Sequence, residues 1–478
     1  MKKAFVSGNF NIVHPGHLRL LKYAREISDY LVVAVRSDRL AGREVILPED
    51  LRMEAIEAIN FVDEVVLLDR EVEFLLNKIS PNFVVKGSEF QGRFNIEDEI
   101  LKKIGGELVF CSGETKYSGI EMLSRDGVGV STTPYLLMPS EFMVRHSIGP
   151  SDLLKTIEEF PKIKVAVVGD LIIDEYISCT ALGMSQEDPA LVVAPIESIK
   201  YLGGAGIVAG HAAGLGSHVN FVSIVGSDEN GAFAKKMLDK YSVASTLIID
   251  STRPTILKQR YRSKGKTLLR VNHIRQAPVS EGIHQKLMES LEKIIPTVKL
   301  LVFSDFNYGC LPQTLVEKIS KLADRYGVMV VADSQSSSQI GDIGRYKNVK
   351  LLTPTEREAR LSTKNYSNGL VELAKELMIQ TGAEYVFLKM NSDGALITSK
   401  LNEDTPEWHT DQIQALNRYP KDVSGAGDSM LIASALALAG GSDIWGAALI
   451  GSIAAGIQVG RIGNIPITVD EIKSEIAS

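Results

Sequence analysis

The chain has 478 residues, a formal net charge of −7 and a hydrophobic fraction of 45%. This length predicts two or three domains, each large enough to bury its own core. The acidic balance argues against nucleic acid or a membrane surface as a partner. The three cysteines, Cys111, Cys179 and Cys310, are far apart, which is typical of a reducing compartment rather than of a disulfide framework or a zinc site. No apolar run reaches the roughly 20 residues that span a bilayer, so we expect a cytoplasmic protein.

The first part of the chain alternates short apolar segments with amphipathic ones. Strands are predicted at 3–7, 30–36, 64–68, 83–86 and 107–111, with helices at 14–27, 50–60, 71–79 and 96–104. This alternation predicts a doubly wound, Rossmann-like parallel sheet of the α/β class. In such sheets ligands bind beyond the carboxyl ends of the strands.

Residues 126–162 lose this rhythm and are rich in glycine and proline. We therefore predict a linker at 126–162, between one domain at 1–125 and a second at 163–478. The second domain also reads as α/β, with strands predicted at 164–170, 219–225, 300–304, 328–333, 350–353 and 385–389. Polar alternating stretches at 176–201 and 254–274 predict antiparallel strands, which would form a small β lid over the main domain.

The motif His14-Pro-Gly-His17 follows the first predicted strand. His14 and His17 are three residues apart, on one face of a helix that has Pro15 in its first turn. Gly16 lets a phosphate approach the backbone, and the N-terminus of the helix offers N–H groups to an anion. The two imidazoles can donate hydrogen bonds to a phosphate in its transition state. Alternatively, the two histidines only cap or pack this helix.

This region resembles the cytidylyltransferase-like nucleotidyltransferases. The resemblance rests on Phe5-Val-Ser-Gly-Asn-Phe-Asn11, the histidine motif, Arg52-Met53, Phe61-Val-Asp-Glu-Val65 and Val84-Val-Lys-Gly87. It implies that a sugar phosphate attacks the α-phosphorus of a nucleoside triphosphate, with His14 and His17 as catalytic residues. The nucleotide- and phosphate-binding residues that it implies are Gly8, Phe10, Asn11, Gly16, Lys22, Arg52, Lys86 and Ser118.

Two positions depart from the pattern of this family. Asn11 stands where the family usually has Asp. The family's Ser/Thr-rich helix start corresponds either to Ser118, which needs no insertion, or to Ser131-Thr132-Thr133, and we favour Ser118. These departures would also permit an inactive nucleotide-sensing or dimerisation module.

A second motif, Asp422-Val-Ser-Gly-Ala-Gly-Asp428, opens an Ala-rich helical run. Gly425, Ala426 and Gly427 at the helix start can present backbone N–H groups as an anion hole for a transferring phosphoryl group. Asp428 in the first helical turn can accept the proton of a hydroxyl group as that group attacks a γ-phosphorus. The alternative is a tight turn with an aspartate cap.

With further segments of residues 164–470, this motif resembles the ribokinase-type (PfkB) sugar kinases. The resemblance implies Asp428 as the catalytic base, Glu358 as a Mg²⁺ residue and Asp422 as a monovalent-cation residue. It implies nucleotide and phosphate contacts at Lys389, Gly394, Gly425, Ala426 and Gly427. The sugar-binding candidates are Asp170, Asp174, Gly203, Gly204, Lys258, Arg260, Arg270 and Asp305; of these, Lys258, Arg260 and Arg270 lie in the predicted lid and are candidates to bind a distal phosphate.

Two residues of this second region also depart from the family pattern. Ile207 stands where an asparagine usually touches the sugar, and Thr355 stands where an asparagine usually opens the magnesium segment. The first departure bears on which sugar is bound.

Segments such as Asp170-Leu-Ile-Ile-Asp174 and Val459-Gly-Arg-Ile-Gly463 are similar to the bifunctional heptose kinase/adenylyltransferases of bacterial lipopolysaccharide synthesis, with the domain order exchanged. The resemblance implies phosphorylation of heptose 7-phosphate at O1 and nucleotidyl transfer to a sugar 1-phosphate, giving ADP-heptose and pyrophosphate. It implies Mg²⁺ and ATP, with CTP as the alternative at the N-terminal site. A kinase/cytidylyltransferase for another sugar or polyol, and a kinase with an inactive N-terminal module, stay open. We expect small sugar phosphates and nucleoside triphosphates as partners, and a homodimer or higher homo-oligomer.

Overall fold

The structure, a computed structural model, describes residues 2–11, 13, 15–42, 45, 47–87, 95–111, 136–185, 187–263, 266–275, 279–336, 341–400 and 408–477. It consists of two compact units, Met1–Thr132 and Thr133–Ser478. Both units are α/β, as predicted from the alternation of apolar strands and amphipathic helices.

The first unit is a five-stranded parallel sheet with the order β3-β2-β1-β4-β5. Its elements are β1 (Lys3–Gly8), α1 (Pro15–Glu26), β2 (Tyr30–Arg36), α2 (Asp38–Ala41), α3 (Glu49–Glu57), β3 (Glu64–Leu68), α4 (Val72–Ile79), β4 (Phe83–Gly87), α5 (Ile96–Ile104) and β5 (Glu107–Cys111). Successive β2 residues enter different apolar clusters, Val33 with Leu21 and Val32 with Leu76, because side chains alternate along a strand. The strand order reverses between β1 and β4, so the loop after β1 begins where such sheets bind ligands.

The second unit is built on a nine-stranded sheet with the order β10-β9-β6-β13-β14-β15-β16-β17-β18. The strands are β6 (Lys164–Gly169), β9 (His218–Val225), β10 (Ala244–Ile249), β13 (Leu300–Asp305), β14 (Met329–Ser334), β15 (Leu351–Leu352), β16 (Tyr385–Lys389), β17 (Ala395–Lys400) and β18 (Trp408–Ile413). The strands pair in parallel from β10 to β16, and β17 and β18 extend the sheet by antiparallel pairing. The predicted strands are confirmed, whereas β10, β17 and β18 were not predicted.

Helices cover the nine-stranded sheet. They are α6 (Ser140–Arg145), α7 (Pro150–Glu158), α8 (Ala205–Gly214), α9 (Glu229–Lys240), α10 (Glu281–Ile294), α11 (Gln313–Arg325), α12 (Glu356–Thr363), α13 (Leu370–Thr381), α14 (Ala426–Ala439), α15 (Ile444–Val459) and α16 (Val469–Ala477), with 3₁₀ turns at Phe160–Lys162, Ile295–Thr297, Ile343–Arg345 and Asn391–Asp393. α14 and α15 are buried along most of their length, since they are apolar on all sides. Within the described ranges, no helix has the length and apolar character needed to cross a membrane.

A separate four-stranded sheet, which we call the lid, has the order β12-β11-β7-β8. It contains β7 (Leu171–Met184), β8 (Leu191–Gly204), β11 (Ile256–Ser263) and β12 (Lys266–His273). β7 pairs with β8, and β11 with β12, in the predicted antiparallel manner, but β7 and β11 pair in parallel. The prediction of antiparallel strands was therefore wrong for this central pair. Both strands directly follow parallel strands of the main sheet, β6 and β10, and so leave it in the same direction.

The predicted linker at 126–162 is wrong in its C-terminal part. From residue 136 onward this segment forms α6, α7 and a 3₁₀ turn, and it belongs to the second unit. Phe142, Ile157 and Phe160 are buried in the core of that unit. Prolines and glycines misled the prediction, because Pro150 stands at the first position of α7, where a missing N–H has no consequence.

Truncation of Phe142 tests this assignment. Phe142→Ala should lower the free energy of unfolding of the second unit by about 3–5 kcal/mol, since a buried aromatic ring is replaced by a cavity. Val144 lies on the same helix and is 79% exposed, so Val144→Ala should have almost no effect. Tryptophan fluorescence during urea denaturation reports on this unit alone, because Trp408 and Trp445 are the two tryptophans and both belong to it. A similarly small effect of both substitutions would contradict the packing of α6.

Candidate active sites

The loop after β1 forms the candidate site of the first unit. Phe10 adopts a left-handed backbone conformation (φ 49°) and its side chain is buried. Its ring makes an edge contact with the ring of His17, with centroids 5.0 Å apart. A Cβ on Gly8 would lie 3.1 Å from the Phe10 ring, so glycine at this position leaves room for Phe10. The structure thus brings together Gly8, Phe10 and His17 at the carboxyl end of β1, and Asn11 is buried next to them in the chain.

Arg52 does not face an open site, contrary to its prediction as a phosphate ligand. Its side chain is fully buried. Its Nε donates to the Leu47 carbonyl at 2.8 Å, Nη1 to the Asn9 carbonyl at 2.6 Å, and Nη2 to Asp38 Oδ1 at 2.5 Å. All three nitrogens are engaged, so Arg52 fixes the loop after β1 rather than offering a charge to a nucleotide.

The other predicted residues of this unit have different surroundings. Lys22 is exposed on α1, and Gly16 lies in the first turn of that helix. Lys86, near the end of β4, pairs through Nζ with Glu97 Oε1 at 2.9 Å. His14, Ser118 and Ser131-Thr132-Thr133 lie outside the described residues.

In the second unit the predicted anion hole lies at the N-terminus of α14. Gly425 precedes the helix in a left-handed conformation (φ +78°), and a Cβ there would lie 2.5 Å from Asn464 Oδ1. A Cβ on Gly427 would lie 3.0 Å from Lys389 Nζ. Gly425 is therefore favoured by its backbone conformation and by the close approach of Asn464, and Gly427 by the close approach of Lys389. The Ala426 N–H donates to the Val423 carbonyl at 3.5 Å. The next N–H groups, of Gly427 and Asp428, lie in the first turn of α14, where no helix carbonyl is in position to accept from them, so they can face an anion.

Asp428 lies in the first turn of α14 and is buried. Gln335 Nε2 donates to its Oδ1 at 3.0 Å. Burial and the charge of Asp333 raise the pKa of Asp428 to about 7, against the opposing effect of Lys389. A carboxylate with this pKa is suited to accept a proton at neutral pH.

Asp174 of β7 is a predicted sugar-binding acid that shares a neighbour, Asn464, with this loop. It forms an ion pair with Arg260 of β11, and Asn464 Nδ2 donates to its Oδ2 at 3.1 Å. A Cβ on Gly203 would lie 2.1 Å from the same oxygen, so glycine allows β8 to approach Asp174. Asn464 therefore lies against both Asp174 of the lid and Gly425 before α14.

A cleft of about 220 Å³ lies between the lid and the segment that leads to α14. Arg260 and Arg270 face each other as register partners in β11 and β12, and Arg262 lines the same cleft. The Arg260 and Arg262 guanidinium groups lie 5.1 and 5.4 Å from the centre of the Tyr176 ring. The cleft, which we call the basic cleft, is lined by Tyr176, Arg260, Arg262, Thr267, Arg270, Pro420, Lys421, Asp422, Val423 and Ser424. Arg260, Arg262, Arg270 and Lys421 outnumber the single acid of the lining, Asp422, so this cleft is suited to an anion.

Two predicted sugar ligands are instead part of the supporting structure. Asp170 accepts hydrogen bonds from the backbone N–H groups of Phe306, Tyr308 and Cys310 at 2.9–3.2 Å. Burial and the charge of Asp305 raise its pKa to about 6. The residue is 3% exposed, and its hydrogen bonds hold the loop after β13; its contact with the sugar stays a prediction.

Asp305 is likewise enclosed. Its Oδ2 accepts hydrogen bonds from Arg345 at 2.6 Å, from the Tyr346 hydroxyl at 3.0 Å and from the Ser334 hydroxyl at 3.1 Å. The residue is 1% exposed. These contacts give Asp305 a structural role, and its contact with the sugar stays a prediction.

The predicted metal residues have structural contacts. The Glu358 carboxylate accepts hydrogen bonds from the backbone N–H groups of Ser336 and Thr355, both at 2.8 Å. The bond from Thr355 caps the start of α12. The Asp422 carboxylate accepts a hydrogen bond from the Tyr176 hydroxyl at 2.8 Å and two more from backbone N–H groups. Across the described ranges, no three His, Cys, Asp or Glu side chains cluster in a way that could hold a metal ion. The Mg²⁺ role of Glu358 and the monovalent-cation role of Asp422 stay predictions.

Three further predicted residues of the second unit are Lys258, Gly394 and Gly204. Lys258 of β11 lies over the rings of Phe306 and Tyr308 at 5.2 and 5.1 Å and does not line the basic cleft. Gly394 has φ +88°, and a Cβ there would lie 2.0 Å from the Ile413 carbonyl. Gly204 is also left-handed, at φ +57°.

Four residues of the site were missed in the sequence. They are Tyr176, Arg262, Gln335 and Asn464. Arg262 shares the period-two spacing of Lys258 and Arg260, so strand alternation could have revealed it. Asn464 follows its partner Asp174 by 290 residues, and no local pattern indicates such a contact.

Comparison with known proteins supports both halves of this description. Residues 162–470 match the pfkB family carbohydrate kinases, and residues 5–121 match the cytidylyltransferase-like family. Relatives named "Bifunctional protein HldE" include one from Sulfurimonas denitrificans, 29% identical over 66% of this chain, and one from Aliarcobacter butzleri, 30% identical over 65% of this chain. The chain spans 64% of the length of each of these relatives.

Solved structures show the same fold. Phosphofructokinase-2 from Escherichia coli, in complex with substrates and products, has a TM-score of 0.54 at 17% identity and covers 66% of this chain and 98% of its own. Ribokinase from Arabidopsis thaliana, complexed with ribose and ATP, has a TM-score of 0.52 at 17% identity, with 66% of this chain and 99% of its own covered.

The buried carboxylates make a prediction about stability. The pKa of Asp428 in the folded chain is raised above its usual value, so the folded state binds more protons than the unfolded state between pH about 4 and 7. The contribution of this group is therefore favourable below that window and is lost as the pH rises through it. Asp428→Asn removes the buried charge, and relative to its effect at pH 4 it should stabilise the second unit at pH 8 by about 4 kcal/mol, since about three pKa units, at about 1.4 kcal/mol each, separate the folded and unfolded states.

Urea denaturation followed by tryptophan fluorescence at the two pH values measures this difference. Asp324→Asn, at an exposed position on α11, is the matched control and should change neither value. A lower stability of Asp428→Asn at pH 8 would contradict the burial of an ionised carboxylate there.

Proposed function

We propose that this chain, which belongs to the pfkB family of carbohydrate kinases and carries a cytidylyltransferase-like domain, is a bifunctional enzyme of nucleotide-sugar synthesis. Its second unit transfers the γ-phosphoryl group of ATP to a phosphorylated sugar. Its first unit joins a sugar 1-phosphate to a nucleotide and releases pyrophosphate.

The kinase assignment is carried by the position of Asp428 beside the Gly425–Gly427 loop. The loop supplies backbone N–H groups for the negative charge of the transferring phosphoryl group. Asp428, with its pKa near 7, takes the proton of the sugar hydroxyl as the hydroxyl oxygen attacks the γ-phosphorus. Mg²⁺ would arrive with the phosphates of ATP and neutralise their charge, since this ion is commonly held by phosphates and water with few protein ligands.

The basic cleft supports a substrate that already carries a phosphate. A phosphate there would accept charge-assisted hydrogen bonds from Arg260, Arg262 and Arg270. Asp174 would then bind hydroxyl groups between the cleft and Asp428. This arrangement fits a sugar phosphorylated at the end remote from the reacting hydroxyl, and we propose heptose 7-phosphate phosphorylated at O1.

The nucleotidyltransferase assignment is supported by the family match of residues 5–121 and by relatives whose name includes the word bifunctional. His17, held against the Phe10 ring, would donate a hydrogen bond to the α-phosphate during attack by the sugar 1-phosphate. The expected product is ADP-heptose from ATP, with CTP as the alternative nucleotide. The two steps require a separate phosphatase between them, because the kinase product would still carry its distal phosphate.

One observation favours a second candidate function for the first unit. Arg52 is fully buried and engaged, which removes one expected cation from the triphosphate. A first unit without transferase activity would act as a nucleotide-sensing or dimerisation module beside an active kinase. Pyrophosphate release from ATP or CTP, assayed with a panel of sugar 1-phosphates, distinguishes the two candidates.

The cleft predicts a preference for phosphorylated sugars. Arg270→Gln should raise the KM for a sugar phosphate by roughly tenfold or more, because a charged hydrogen bond to the phosphate is lost. Turnover of the corresponding free sugar should be low in the wild type and unchanged in the variant. Lys266→Gln, on the same strand but outside the cleft, is the control. Equal turnover of free and phosphorylated sugars by the wild-type enzyme would refute the distal-phosphate site.

The two activities should be separable. Asp428→Asn should reduce ADP release by roughly 10²–10⁴-fold, because the general base is lost, and leave pyrophosphate release near the wild-type value. His17→Ala should reduce pyrophosphate release by roughly 10²–10³-fold, because a transition-state donor is lost, and leave ADP release unchanged. Both products are measured on both variants. Unchanged pyrophosphate release by His17→Ala, or none from the wild type with any sugar 1-phosphate, would show that the first unit is not the proposed transferase.

A further inference from the structure

Lys389 occupies an unusual position for a lysine. It ends β16, and its side chain is 14% exposed. Its Nζ lies 3.0 Å from Asp333 Oδ2 and 3.0 Å from the place that a Cβ on Gly427 would take. The ammonium group is therefore beside the backbone of the anion-hole loop, one residue before Asp428.

Charges of both signs surround Asp428. The charged groups that act most strongly on it are Asp333 of β14, Lys389 of β16, Asp174 of β7 and Lys258 of β11. Burial and Asp333 act most strongly against the ionised form of Asp428, and Lys389 is the stronger of the two lysines that favour it. Two buried carboxylates that lie close together cannot both ionise readily without a compensating cation.

The cluster contains one further acid. Glu358 of α12 acts electrostatically on both Asp333 and Lys389. Burial disfavours the charged form of Lys389, but Asp333 and Glu358 outweigh it and raise the pKa of Lys389. Lys389 therefore keeps its proton throughout the neutral range.

We propose that Lys389 is a positioning residue of the kinase reaction, whose ammonium group keeps the neighbouring carboxylate of Asp428 ionised beside the transferring phosphoryl group. The proposal rests on the proposed function and assigns this residue a task within the same site. It differs from a simple nucleotide contact, because Lys389 acts through the state of the base. Asp333 holds the ammonium group in place by its ion pair, so Asp333 and Lys389 have opposite effects on Asp428.

The pH dependence of kcat/KM for ADP release tests this role in the full-length protein, with MgATP and a sugar phosphate that the wild type turns over. The wild-type rate should rise with pH through about 7 and then level off, because the base must be ionised. Lys389→Met should move this rise to higher pH by about one unit or more. Lys389→Arg retains the charge and should restore most of the wild-type profile.

Asp333→Asn should shift the pH profile in the opposite direction. It removes a negative charge next to Asp428 and frees the ammonium group from its ion pair, so the rise should move to lower pH. If Lys389→Met does not fold, Lys389→Gln takes its place, because its amide also lacks the positive charge. Profiles of both variants that coincide with the wild-type profile, with only a uniform loss of rate, would overturn the role of Lys389. A wild-type enzyme that releases no ADP with any sugar phosphate would instead overturn the proposed function, and this inference with it.

Discussion

Burial of carboxylates at one edge of the nine-stranded sheet is the constraint on which the second unit depends. Asp170, Asp305, Asp333 and Asp428 are each at most 5% exposed. An ionised carboxylate is costly to bury unless hydrogen bonds or opposite charges compensate it. Asp170 accepts hydrogen bonds from three backbone N–H groups, and Asp305 accepts hydrogen bonds from the side chains of Arg345 and Tyr346.

Asp333 and Asp428 differ in how their buried charges are compensated. Asp333 has the ammonium group of Lys389 at 3.0 Å, whereas the hydrogen bond described for Asp428 comes from the neutral amide of Gln335. Asp428 also has the higher pKa of the two, about 7 against about 6. A site that leaves one carboxylate poorly stabilised provides a base that is ready to accept a proton.

The sequence predicted the elements of the fold well where the hydrophobic pattern is local. The five strands of the first unit and the doubly wound class follow directly from alternating apolar runs. The parallel pairing of β7 with β11 could not be predicted, because it depends on how the lid joins the main sheet. The helices at 140–158 were hidden by prolines and glycines that read as linker residues but stand at helix starts.

The candidate site was predicted best where a motif is continuous in the chain. Gly425, Gly427 and Asp428 lie together as the motif indicated. Asp170 and Asp174 are four residues apart and look equivalent in the sequence, but one faces backbone N–H groups and the other faces Arg260 and Asn464. That distinction depends on contacts with residues more than 80 positions away. The burial of Arg52 was equally invisible, since an exposed and a buried arginine in a helix have the same local pattern.

The central claim is that the second unit adds a second phosphate to a sugar whose first phosphate lies in the basic cleft. The most direct measurement is ³¹P NMR of the products formed from heptose 7-phosphate and MgATP by the purified protein. The account predicts stoichiometric ADP and a new signal from a phosphate ester at the anomeric carbon, while the signal of the original ester is retained. Formation of ADP with inorganic phosphate and no second sugar phosphate signal would contradict it.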